Sequence, residues 1–182
     1  MRQPNNKSPA RDALRRKIII HSSKGFSLIE TLIAILLVGF AVASLLAANG
    51  AFTKANGAGT DLSTAEFLVE QIRELTALLP VVEPNTPETG VDVFGPESGE
   101  TLATYDDLND FDGAGFSPPI GADRSPLAEL AGFSQLVTVQ NVNPSNFEQV
   151  VADHGSSFIR VTVRVYLNSK EISVASWLRT RY

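Results

Sequence analysis

The most constraining stretch of this 182-residue chain runs from Phe26 to Ala48. It is apolar for 23 residues except at a single ionisable position, Glu30. As a helix such a run is about 35 Å long, enough to cross the hydrocarbon core of a bilayer. A carboxylate inside a membrane-crossing segment is costly and asks for a partner. The flanks add orientation. Residues 1–25 hold seven basic side chains (Arg2, Lys7, Arg11, Arg15, Arg16, Lys17, Lys24) against Asp12, whereas the remainder carries a formal balance of −11. A basic segment before an apolar span places that segment in the cytoplasm and the rest of the chain across the membrane. The acidic remainder supplies no phosphate-binding stripe, so nucleic acid is not an expected partner.

Three readings of the span compete. A cleaved signal peptide, cut near Ala41-Val42-Ala43, normally has a shorter apolar core without a carboxylate. A plain single-pass anchor accounts for the length but leaves Glu30 unexplained. Glu30 as an acid snorkelling near the interface is the bland alternative. The third reading rests on resemblance. Lys24-Gly25-Phe26-Ser27-Leu28-Ile29-Glu30 and the apolar run after it resemble the processing site of type IV prepilins and type II secretion pseudopilins.

That resemblance implies cleavage between Gly25 and Phe26 by a membrane prepilin peptidase on the cytoplasmic side, with Phe26 becoming an N-methylated terminus. Glu30, fifth after the cut, corresponds to the family's glutamate, and the Phe26 amine of an adjacent subunit is a suitable partner for it. The implied partners are other pilin or pseudopilin subunits, the peptidase, the inner-membrane assembly platform and the membrane itself. The implied location is the bacterial inner membrane, then a pilus or pseudopilus. The implied fold is α+β and pilin-like, a long N-terminal helix packed on a small antiparallel sheet. The implied role is a minor pilin or pseudopilin, not an enzyme; retention of Glu30 argues mildly against the extreme tip position. A single-pass anchored binding module outside the cytoplasm is the alternative.

The domain reading is a basic leader over 1–25, a helix over 26–79 that is transmembrane over 26–48, and a head over 80–182. Helical periodicity resumes at Leu62, Ala65, Leu68, Val69, Ile72, Leu75 and Leu79, with Glu66, Glu70, Arg73 and Glu74 on the other face. Pro80 and Pro84 stop it. Asn56-Gly57-Ala58-Gly59-Thr60, followed by a capping-box pattern at Ser63-x-x-Glu66, suggests a break or bend there. Close helix packing is the favoured reading of Gly39 and Gly50. The segment 80–132, rich in Pro, Gly, Asp, Glu and Ser, reads as a long irregular connection.

Within that connection, an EF-hand register on Gly113 fails, because Leu108 and Pro119 fall on ligand positions. A looser calcium site using Asp106, Asp107, Asp110 and Asp112 competes with a partner-binding loop, and with acidic turns held by local Asx bonds as the default. The Tyr105–Phe111 pattern also resembles a segment of minor pilins of the mannose-sensitive haemagglutinin type.

The C-terminal third reads as β. Ile159, Val161, Val163, Val165 and Leu167 alternate with polar or aromatic residues, Asn168-Ser169-Lys170 is a turn, and Ile172, Val174 and Leu178 share the apolar face of the next strand. Residues 134–142 supply a third strand. Trp177, Arg179 and Tyr182 read as edge and surface residues. The absence of cysteine excludes a disulfide framework and a thiol nucleophile. His21 reads as a solvated leader residue. His154, beside Asp153 and near Ser156 and Ser157, reads as a solvated loop histidine, since adjacency in sequence does not make a triad.

Overall fold

The computed structural model describes residues 25–81 and 94–180. The basic leader through Lys24, including His21, lies outside the described residues, as do Pro84 and Tyr182. The chain divides into two compact units, Met1–Ala48 and Asn49–Tyr182, and one helix, α1 (Leu28–Thr76), runs through their boundary.

Helical hydrogen bonding is continuous across residues 56–60, so the expected break does not occur. A glycine costs about 1 kcal/mol against alanine in a helix interior, a penalty that a long helix absorbs. Thr60 and Thr64 also turn their hydroxyls back onto the carbonyls of Asn56 and Thr60 (3.1 and 3.0 Å), so the helix itself satisfies them. Ser63 sits inside the helix and is not its cap.

The helix ends at Thr76, three residues before the expected Leu79. The last turn tightens through short-range bonds from Ala77 N–H to the Glu74 carbonyl and from Leu79 N–H to the Thr76 carbonyl. Arg179 then donates to the carbonyls of Thr76 (2.8 Å) and Leu79 (2.9 Å). A guanidinium at a helix C-terminus satisfies orphan carbonyls and complements the helix dipole.

In the Asn49–Tyr182 unit the buried face of α1 is Ala65, Leu68, Val69, Ile72 and Thr76. It packs on an antiparallel sheet of five strands: β1 (Gly115–Phe116), β2 (Phe133–Asn143), β3 (Asn146–Val150), β4 (Phe158–Leu167) and β5 (Lys170–Thr180). Their spatial order is β1-β2-β4-β5, with β3 pairing the far end of β2. This is the α+β, pilin-like architecture. The β4–β5 hairpin turns on Asn168 and Ser169, both at positive φ (48° and 68°), as a two-residue turn matched to strand twist requires.

β4 alternates as expected, with Ile159, Val161, Val163 and Val165 buried. β5 does not. Val165 pairs with Ser173 but Tyr166 pairs with Glu171, so Ile172 is the extra residue of a bulge. A one-residue slip exchanges the two faces of a strand. Ala175 and Trp177 therefore face the core with Ile172, while Val174 and Leu178 point outward. Trp177 and Arg179 lie on the inner face and are not plain surface residues; Arg73 stacks 4.8 Å from the Trp177 ring.

One buried polar side chain ties three elements together. Gln135, on the inner face of β2, accepts from Ile120 N–H (2.8 Å) and donates to the carbonyls of Leu68 (2.9 Å) and Ile120 (3.2 Å). A buried group left without its partner costs about 1–3 kcal/mol. Gln135→Leu strands the Ile120 N–H and is expected to lower the melting temperature of the full chain in detergent by about 4 °C or more. An unchanged melt, followed by circular dichroism, would count against this linking role.

Candidate functional site

Two regions carry groups that ask for something outside the folded chain. The first is the start of α1. Gly25, Phe26 and Ser27 precede the helix and are exposed. Ser27 is the cap: its hydroxyl accepts the Glu30 N–H at 3.3 Å, and its carbonyl accepts the Thr31 N–H at 3.1 Å. The Ser27-x-x-Glu30 spacing is itself a capping-box pattern, a signal that the apolar run overshadowed. Glu30 lies in the first helical turn, where the dipole favours a carboxylate by about 0.3–1 kcal/mol. That is less than the several kcal/mol that a lipid-buried carboxylate costs, so the helix start alone does not settle Glu30.

Every described side chain from Phe26 to Ala48 is exposed, including Phe26 at 79% and Leu28 at 87%. A Cβ built on Gly25 meets nothing within 4 Å, and the same holds at Gly39 and Gly50. Smallness at these positions answers to nothing among the described residues. The segment is an apolar helix long enough to cross a membrane and without protein cover.

The second region is the acidic part of the connection. The turn Glu97-Ser98-Gly99-Glu100 closes through Glu100 N–H to the Glu97 carbonyl (3.1 Å), and Gly99 has φ +99°, the left-handed geometry that suits glycine. Glu97 N–H in turn donates to Glu100 Oε2 at 3.1 Å. The segment 106–112 is a nest of Asx bonds around a 3₁₀ turn at Asn109–Phe111. Asp107 Oδ1 accepts from the N–H groups of Asn109 (2.7 Å) and Asp110 (3.2 Å). Asp110 Oδ2 accepts from those of Asp106 (2.9 Å) and Asp107 (3.1 Å). Asp112 Oδ1 accepts the Val139 N–H at 2.8 Å, tying the loop to β2. Asn109 Oδ1 accepts the Gly95 N–H at 3.0 Å and draws the two segments together.

Asp106, Asp107, Asp110 and Asp112 therefore do not form one ligand set. Asp107 and Asp112 each hold backbone N–H groups with Oδ1, and Asp107 Oδ2 accepts from the Asn109 side-chain amide (3.2 Å), local bonds of the kind the default reading expected. Among the described residues, the carboxylates that meet are Glu97, Glu100 and Asp110, with one oxygen from each within 4.8 Å of the others. Asp110 is wholly buried, and among the described residues its Oδ1 has no hydrogen-bond partner, nor has either Glu97 oxygen. The ion pairs of the described residues lie elsewhere, at Arg73–Glu70, Arg160–Glu148 and Arg164–Glu171. The nearby Arg124 guanidinium is engaged by the carbonyls of Leu102, Ala103 and Tyr105.

Titration reflects this crowding. Desolvation first, then the Glu100 and Asp110 carboxyls, push Glu97 up to about 7. Desolvation and the Asp110 charge push Asp107 up to about 8. Asp110 is raised as well, chiefly by burial and then by Glu100. Tyr105, facing Asp110 and Glu100, is raised by burial and by the same charges.

His154 sits at positive φ (58°), with its N–H on Asn141 Oδ1 (3.0 Å) and its ring edge-on to Phe94. The Ser156 hydroxyl lies 2.6 Å from the Val142 carbonyl and accepts the Phe158 N–H. The side chains of His154 and Ser156 thus serve local structure.

Residues 20–46 match the family model described as the prokaryotic N-terminal methylation motif. The chain carries this prepilin-type motif followed by a long apolar helix, consistent with the type IV pilin-like family. The motif indicates a pilin-type precursor that is processed by prepilin peptidase and anchored by its N-terminal helix, and it points to a structural protein rather than an enzyme. No curated protein and no solved structure matches the chain.

The raised carboxyls fix the sign of a pH dependence. Their folded values lie above the ordinary unfolded value near 4, so the folded chain holds protons that the unfolded chain releases. The stabilisation they contribute is complete below about pH 4 and is lost as pH rises through about 7 and 8. Thermal melts of the full chain in chelator-containing buffer are expected to shift down between pH 5 and pH 8.5. A flat or rising melting temperature over that window would contradict the assignment.

Proposed function

We propose that the chain is a minor pilin or pseudopilin, cut by prepilin peptidase between Gly25 and Phe26, N-methylated on Phe26, and assembled through the apolar half of α1. The assembly is a type IV pilus or a type II secretion pseudopilus. The observation that carries this reading is the bare helix start: an uncovered apolar segment with one carboxylate in its first turn, directly after an exposed Gly-Phe junction.

Each feature has a role in that scheme. The cleavage site precedes the first helical residue, so a peptidase meets non-helical backbone at Gly25, where nothing among the described residues demands a glycine. Cleavage creates an ammonium on Phe26. In a bundle of such helices, that cation on one subunit neutralises Glu30 on the next, and a desolvated pair of opposite charges replaces a lone buried carboxylate. The exposed Gly39 and Gly50 let neighbouring helices approach closely. The basic leader sets the orientation, with the Asn49–Tyr182 unit outside the cytoplasm.

The mature terminus tests the processing step. Mass spectrometry of the chain purified from its own membrane is expected to find N-methylphenylalanine at residue 26. An intact residue 1, or a terminus near Ser44, would sink the reading and favour an anchored binding module or a cleaved signal. Glu30→Leu is expected to leave cleavage and membrane insertion intact while cutting incorporation into filaments at least tenfold, read by immunoblot of sheared filaments against membranes.

A further inference from the structure

The geometry points to a divalent-cation site of the calcium class built from Glu97, Glu100 and Asp110, which clamps the 94–100 turn onto the 106–112 loop. It rests on residues of the Asn49–Tyr182 unit alone and stands or falls independently of how the N-terminal helix is used.

The local chain prepares the three oxygens before any ion arrives. The Glu97–Glu100 turn puts two carboxylates side by side, held by the Glu97 N–H on Glu100 Oε2. Asp110 is fixed through its other oxygen, Oδ2, by two backbone N–H groups, so Oδ1 has a defined position. The Asn109–Gly95 bond sets the distance between the two segments.

The unpartnered atoms point to a ligand. Asp110 is fully buried with Oδ1 unsatisfied, and both Glu97 oxygens are enclosed and unsatisfied. Buried polar atoms are almost always paired, and an exception calls for an ion, a water or a proton. All three groups are acceptors when ionised, and none of the described ion pairs involves them. A proton shared between carboxyls relieves one contact, whereas a dication serves all three at once.

Donor chemistry and coordination flexibility favour calcium among dications. The donors are carboxylate oxygens without histidine or cysteine, a hard set unsuited to zinc or copper. The oxygens lie within 4.8 Å of one another. Calcium takes six to eight oxygens at about 2.3–2.6 Å in flexible geometry, which suits donors brought together from two loops, whereas magnesium demands near-ideal octahedral geometry and dehydrates reluctantly. Glu97 offers both oxygens for bidentate binding, Glu100 and Asp110 offer one each, and water completes the shell. The structural consequence is a fastened connection: Asp112 already ties the 106–112 loop to β2 and Arg124 gathers 102–105, while the 94–100 turn, held by Phe94 against the core and by the Asn109–Gly95 bond, gains the ion as a further tie.

The test uses the full chain in detergent at pH 7.5, stripped with chelator and then titrated with calcium, magnesium or terbium. Calcium at 1 mM is expected to raise the melting temperature by about 5 °C or more, with magnesium at the same concentration less effective. Terbium is expected to show luminescence sensitised by Tyr105, competed away by calcium. Glu97→Gln is expected to abolish both responses; it lies on a turn and removes no backbone bond. Asp110→Asn is expected to do the same, and Glu97→Gln keeps the test decisive if that variant fails to fold. Asp106→Asn is expected to respond like wild type. No calcium response in wild type, with Glu97→Gln raising the melting temperature at pH 7.5, would overturn the proposal in favour of a shared proton. Loss of response in Asp106→Asn with retention in Glu97→Gln would overturn it in favour of a different ligand set.

Discussion

A single apolar helix segment without protein cover is the constraint on which the rest of this molecule depends. From Phe26 to Ala48 nothing among the described residues shields the side chains from their surroundings, so lipid or other helices must do so. The same helix, from Ala65 to Thr76, buries its face in an ordinary folded core. The glycines between these segments leave the helix unbroken, because their cost is spread over 49 residues and the hydroxyls nearby return to the helix backbone. Sequence and structure divide this helix by solvent, not by secondary structure.

The head solves a different problem, that of holding a long irregular connection against a small sheet without disulfides. It does so with polar side chains that bond backbone across large separations in sequence. Gln135 joins β2, α1 and the Ile120 strap, Arg179 holds the helix C-terminus, Arg124 gathers the 102–105 carbonyls, and Asp112 reaches β2. Each satisfies carbonyls or N–H groups that the loop would otherwise bury unpaired. Three unsatisfied carboxylate oxygens, two on Glu97 and one on Asp110, stand out against that background.

Much of the architecture was legible because it rests on periodicity. The apolar stripe of α1, the alternation along β4 and the hairpin at Asn168-Ser169 are local patterns, and the structure keeps them. The helix end and the inner face of β5 were not legible for identifiable reasons. A bulge at Ile172 leaves no mark in a sequence whose apolar residues occupy both parities, so Val174 and Leu178 were assigned to the core face that Ala175 and Trp177 occupy. Arg179 looked like a surface cation because its partners, Thr76 and Leu79, lie about a hundred residues away. In the acidic loop the dense run from Asp106 to Asp112 drew attention to itself, yet Asp107, Asp110 and Asp112 each spend one oxygen on backbone N–H groups. The carboxylates that converge with Asp110 come from the quieter Glu97–Glu100 turn. The prepilin-type motif was legible at once, being a contiguous stretch of chain.

The central claim is that the apolar half of α1 is an assembly surface and not merely an anchor. The cysteine-free sequence allows a direct measurement: single cysteines walked through positions 28 to 48, oxidised in the cells that make the protein. The account predicts disulfide-linked oligomers recurring with helical periodicity along the segment and lost when Glu30→Leu is added. Monomers at every position, or cross-links indifferent to Glu30, would contradict it.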